Sequence, residues 1–295
     1  MKKLTFPSYT LLFFLPFLFG KADLHAQTNE TGLLWEITGK GIKKSYLYGT
    51  IHIQDKKVFA YDPLVEKKLK SCKAFAMELI LDEINQLEVA QSMIMMDHSL
   101  DQLLTPAQYA TVAAVLKEKT GMELSLFNNV KPFMLYTQLS QTEIPQDMDQ
   151  PLDGYFLKIA RENKMKILAV EKLSEQLAAV NSISEQDQAN MLVKMLEDTG
   201  SAGTQEFEKL IAMYLEQDLG KMTALADDPG LPKELMEQFL VARNQVMAER
   251  ISGFMKDQST FTAIGAAHLG GPTGVIALLR KQGYTLNPVP FAFKN

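Results

Sequence analysis

Two of the four histidines in this 295-residue chain close the same short pattern, Gly49-Thr50-Ile51-His52 and Gly265-Ala266-Ala267-His268. Imidazoles hold metals and pass protons near neutral pH, so a matched pair is a candidate for chemistry. Each pattern follows a β-branched and aromatic run, Ser45 to Tyr48 and Thr260 to Ile264, that reads as a strand. Each His is therefore expected just beyond the carboxyl end of a strand, the edge where open α/β sheets bind ligands. The glycine three residues earlier is read as the point where the chain turns sharply off the strand and brings its backbone close to a ligand. One such His would be read as structural; two in equivalent contexts point to a shared site.

A third candidate lies on the strand predicted over Ala74 to Leu79. Alternation places Phe75, Met77 and Leu79 on one face and Ala74, Ala76 and Glu78 on the other. A carboxylate ending an apolar strand is costly unless it is paired or bound to a metal.

The elements that must position these residues form two α/β segments around a helical middle. Leu33 to Ile37, a Gly39-Lys40-Gly41 turn and the strand running into Gly49 read as a hairpin. Asp62-Pro63 supplies an N-cap and an N1 proline for a helix over Leu64 to Lys70. From about 86 to 256 the pattern is helical. Thr105-Pro106-Ala107-Gln108 is a capping box for a helix ending near Gly121. Ser184 and Thr204 open two more helices, the second stopped by Gly220, and Leu231-Pro232 starts a long one reaching Phe254. Methionines at helical spacing (Met191, Met195, Met213, Met236, Met247) read as core filler. One strand interrupts the helices, Lys166 to Val170, with Glu171 at its end. At the C-terminus a strand, the loop Gly265 to Gly271, a helix over Pro272 to Gln282 and a strand over Tyr284 to Val289 predict a unit with parallel strands and a right-handed crossover.

Composition bounds the rest. Lys2 and Lys3, the apolar run Leu11 to Phe19 and the Leu24-His25-Ala26 junction make residues 1–26 a predicted signal peptide, leaving 27–295 as a single exported domain, periplasmic or extracellular. The apolar run is too short for a membrane span, which needs about 20 residues, so no stable transmembrane anchor is expected in the mature form. Loss of Lys2, Lys3, Lys21 and Asp23 takes the net charge from −5 to −7, and no basic stripe is visible, which disfavours nucleic acid as a partner. Cys72 is the sole cysteine, read as a half-buried packing residue, so stability must come from an apolar core that 46% hydrophobic content allows.

The chain resembles the TraB/PrgY/GumN family, related in motif to the Tiki metalloproteases. The likeness is carried by Leu34-Trp35-Glu36-Ile37, by Tyr46-Leu47-Tyr48-Gly49-Thr50-Ile51-His52 and by Met77-Glu78-Leu79. Further on it rests on Leu152-Asp153, Ile167 to Glu171 with Gln176, Arg243-Asn244 with Met247, and Ile264 to Val275. The resemblance implies an α/β fold with a mixed sheet, shared with erythromycin esterases and haem-binding lipoproteins. It also implies, as in Tiki-like members, a divalent-metal peptidase activity on a peptide or protein substrate. His52, His268, Glu78 and Arg243 are the positions that carry over. Two imidazoles and a carboxylate suffice as protein ligands for a catalytic metal with open positions for water and substrate. Glu78 has a second candidate role as general base, and both remain open here. No H-E-x-x-H is present, and ligand type does not choose among Mn²⁺, Co²⁺ and Zn²⁺. Arg243, read alone as a surface or helix-pairing residue, becomes a guanidinium aimed at a substrate carboxylate or a developing oxyanion. Asp153 reads as a helix N-terminal acid, Glu171 as a strand-end cap, His98 as a solvated loop residue, and Trp35 and Tyr48 as core. Two alternatives to an enzyme stand beside it: a peptide-capturing protein without turnover, and a haem- or metal-binding protein.

Overall fold

The computed structural model describes residues 30–142, 144–198, 201–224 and 237–294. The predicted signal peptide and the predicted helix start at Leu231-Pro232 lie outside the described residues. Contacts divide the chain into two compact units. In the described residues the first is helical and drawn from 81–144 and 176–207, where helices Pro106–Thr120, Pro132–Thr142 and Glu185–Asp198 pack together. The capping box at Thr105 and the left-handed Gly121, φ +75°, bound the first of these helices as the sequence predicts. His98 is exposed and pairs with Glu185 at 2.7 Å.

The second unit holds a six-stranded mixed sheet: β1 (Leu34–Thr38), β2 (Ser45–Thr50), β3 (Ala74–Met77), β4 (Lys166–Ala169), β5 (Thr260–Gly265) and β6 (Thr285–Pro288), in the order β4-β3-β5-β2-β1-β6. Strands β4, β3, β5 and β2 pair in parallel with one another in that order, and β1 runs antiparallel to both β2 and β6. The interior strands β2 and β3 are buried along their whole length, which explains apolar runs such as Ala-Phe-Ala-Met. Pro288 sits on edge strand β6, where a missing N–H costs no ladder bond. Cys72 is buried, with its thiol pushed up to about 12 by burial.

Strands β5 and β6 run the same way, as the sequence predicts, with the β1-β2 hairpin between them. Two expectations need correcting. The helix expected to open at Thr204 runs Ser201–Leu215, and Gly220 sits inside a separate helix, Leu219–Ala224. Gly49 does not turn the chain off a strand; it lies within β2, and a Cβ there would meet the Ala266 Cα at 3.1 Å and the Leu269 side chain at 3.0 Å. Its missing side chain thus lets the second histidine's turn pack onto the first histidine's strand.

Candidate functional site

The four parallel strands end on one side of the sheet, and their register brings four candidate groups together there. Thr50 pairs with Gly265 at the ends of β2 and β5, and His52 follows two residues on. Met77 pairs with Ala263 and with Ala169. Beyond the strand ends the ladder continues, Val170 and Glu171 donating their N–H groups to Met77 and Glu78 carbonyls at 2.8 and 2.9 Å. Glu78 and Glu171 therefore lie side by side, 3% and 2% exposed. Two adjacent buried carboxylates repel, and a cation between them is the physical remedy.

Arg243 supplies it. Its Nε and Nη2 donate to the two Glu171 oxygens at 2.8 and 2.6 Å, and Nη2 also reaches Glu78 Oε2 at 2.9 Å. The residue is second in the α-helix Ala242–Asp257, directly after a π-helical turn over Glu237–Val241. Such turns recur at functional sites. Here Nη1 donates to the Phe239 carbonyl in that turn at 3.1 Å. Four of the five guanidinium N–H bonds are thereby committed to protein acceptors.

The two imidazoles are each anchored through Nδ1. His52 Nδ1 is 2.6 Å from Asp153 Oδ2, and the other oxygen of Asp153 accepts from the Thr50 hydroxyl. Asp153 does sit in the first turn of helix Leu152–Glu162, as expected of a helix N-terminal acid, yet its carboxylate is turned to the histidine. One turn on, Phe156 stands edge-on to Tyr48 at 5.3 Å and to Phe261 at 6.1 Å, which fixes that helix on the sheet. His268 ends a 3-10 turn, Ala266–His268, and its Nδ1 is 2.6 Å from Asn244 Oδ1.

These groups surround one point. A methyl group on Gly265 would lie 3.3 Å from Glu78 Oε1, 3.5 Å from His268 Cδ2 and 3.7 Å from His52 Nε2. Glu78 Oε1 is itself 3.6 Å from His52 Nε2 and accepts the Gly265 N–H at 2.7 Å. Among the described residues, no group of three His, Cys, Asp or Glu side chains forms a ready metal cage. Burial alone would favour neutral His52, but Asp153 and then Glu78 hold its imidazolium up to about 10. Burial and the Arg243 charge push His268 down to about 3, so it stays neutral. Burial would raise the Glu78 carboxyl, but His52 and then Arg243 hold it well below the usual carboxylate range.

The structure thus brings together His52, His268, Glu78 and Arg243, and adds Asp153, Glu171 and Asn244. All three additions fall within the sequence motifs, but their partners are too far along the chain for spacing to reveal them.

An α/β protein with an acid and histidine cluster at the carboxyl ends of parallel strands is the class that this fold and site define. Residues 33–288 match the TraB/PrgY/gumN family model, and the chain belongs to that family. Over 90% of its length it is similar to metalloprotease TIKI1 of Danio rerio, 25% identical across 64% of that protein. It is likewise similar to metalloprotease TIKI2 of Danio rerio (22% identical) and of Xenopus tropicalis (24%), across 62% and 61% of their lengths. The chain therefore spans less than two thirds of each of these relatives. No solved structure matches it significantly. No described helix is long and apolar enough to cross a membrane.

Proposed function

We propose that the protein is an exported metal-dependent hydrolase acting on peptide bonds, with His52, His268 and Glu78 holding a divalent cation, Mn²⁺, Co²⁺ or Zn²⁺. The observation that carries this reading is the convergence of the three side chains on the space beside Gly265, with each imidazole anchored through its Nδ1. That is how proteins orient histidines that ligate metals through Nε2. A bound cation would supply a water acidic enough to attack a carbonyl near neutral pH.

The chain's own residues divide the remaining work. Asp153 orients His52, and a bound cation would take the place of the Nε2 proton that Asp153 and Glu78 favour in its absence. Glu78 acts as ligand, because its Oε1 faces the space beside Gly265 that both imidazoles border and lies 3.6 Å from His52 Nε2. Arg243, with four donors committed, holds Glu78 and Glu171 in place more than it grips an oxyanion. The finer likeness to erythromycin esterases and haem-binding lipoproteins belongs to this reading too, supported by the parallel strand ends that carry the site.

Export rests on the leader pattern, and protein recovered from the cell envelope is expected to begin at or near Gln27 by N-terminal sequencing. An intact Met1 in the cytoplasm would contradict it.

The reaction is tested by hydrolysis of a peptide library by the mature protein, stripped of metal and then given Mn²⁺, Co²⁺ or Zn²⁺. Gly265→Ala is the matched control. Its φ of −52° and ψ of 134° suit alanine, so the variant is expected to fold, while its methyl intrudes among the ligands and abolishes metal-dependent cleavage. Wild type without cleavage under any of the three metals, or a fully active Gly265→Ala, would overturn the proposal.

A further inference from the structure

We infer that Asn244 is a positioning residue that fixes His268 as the Nδ1–H tautomer, so that Nε2 presents its lone pair toward the space beside Gly265. Asn244 and His268 are 2% and 4% exposed, and bulk water does not set their hydrogen bonds. The side-chain amide spans two partners: Nδ2 donates to the Thr273 carbonyl at 3.0 Å, and Oδ1 lies 2.6 Å from His268 Nδ1. A carbonyl only accepts, so the amide nitrogen must face Thr273 and the amide oxygen must face the ring. An oxygen there can only accept, so the ring nitrogen must carry the proton.

The Thr273 carbonyl is itself held by a tight loop. A Cβ on Gly274 would fall 2.1 Å from the Gly270 carbonyl oxygen and 2.4 Å from that of Leu269, so only glycine closes the turn. Gly271 takes φ +80°, a conformation that glycine adopts at little cost. The run Gly270-Gly271-Pro272-Thr273-Gly274 is thereby read as a device that holds the carbonyl anchoring Asn244. The two histidines are thus oriented by different means: His52 by a carboxylate and His268 by a neutral amide. A neutral partner adds no further negative charge to a cluster that already holds three carboxylates.

The inference builds on the metal-site reading, but its first readout needs no metal. Long-range ¹H–¹⁵N correlation spectra of the metal-free full chain are expected to show His268 with Nδ1 protonated and Nε2 bare. Asn244→Ala should give a mixture of tautomers and bind Co²⁺ 10- to 100-fold more weakly. Asn244→Asp, which keeps an acceptor beside Nδ1 but gives up the donor to Thr273, should keep Nδ1 protonated. Wild-type protein showing the Nε2–H form overturns the inference, and so does a folded Asn244→Ala that leaves the tautomer unchanged. If Asn244→Ala fails to fold, the wild-type and Asn244→Asp spectra decide. A fixed tautomer in protein that takes up no Co²⁺ supports the inference while removing the metal site on which the proposed function stands.

Discussion

Replacing either His52 or His268 by alanine is expected to reduce bound Co²⁺ by more than about 100-fold and to bring peptide hydrolysis to background, because either change leaves two protein ligands for an open site. Equilibrium dialysis with metal analysis measures the first effect and a peptide assay the second. Glu78→Gln separates the two roles that the sequence leaves open. Loss of metal marks a ligand, and retained metal with lost turnover marks a base. The ligand outcome is expected, because Glu78 Oε1 faces the same space beside Gly265 as the two imidazoles. His98→Gln is the internal control: His98 is exposed and paired with Glu185, so its loss should leave metal content unchanged.

The second large effect is on stability. Arg243→Ala would leave Glu78 and Glu171 buried side by side without their shared cation, at an expected cost of about 3–5 kcal/mol. Urea denaturation should show this as a lower midpoint, with far-UV circular dichroism confirming a folded starting state. Arg243→Lys should recover little, because a single ammonium cannot reproduce the bidentate contact with Glu171 and also reach Glu78 and the Phe239 carbonyl. Glu171→Gln in the Arg243→Ala background should recover part of the loss by removing one of the stranded charges. An Arg243→Ala protein as stable as wild type would mean that the two carboxylates find compensation elsewhere.

What the sequence reveals of this site follows from how local each signal is. Strand-forming runs before His52 and His268, and alternation along β3 placing Glu78 at its end, are properties of five or six consecutive residues, and the structure contains those strands. The partners of Asp153 and Glu171 are not local. Asp153 meets His52 across 101 positions and Glu171 meets Arg243 across 72, so each acid offered only its neighbourhood, a helix start and a strand end. Both local placements hold, yet neither says where the carboxylate points. Gly49 shows the reverse case. The glycine is required, but for packing against Ala266 and Leu269. The same limit applies to the C-terminal unit. Its strands, loop and helix could be read in order, whereas the insertion of the hairpin between β5 and β6 depends on pairing with residues more than 200 positions away.

The claim on which the rest depends is that His52, His268 and Glu78 share one cation. Crystals of the mature protein soaked in Co²⁺, with data collected on both sides of the cobalt absorption edge, test it directly. The expected result is one anomalous peak beside Gly265, about 2.1 Å from Nε2 of both histidines and from a Glu78 oxygen. A protein that binds cobalt elsewhere, or leaves the space beside Gly265 without an anomalous peak at saturating metal, would contradict it.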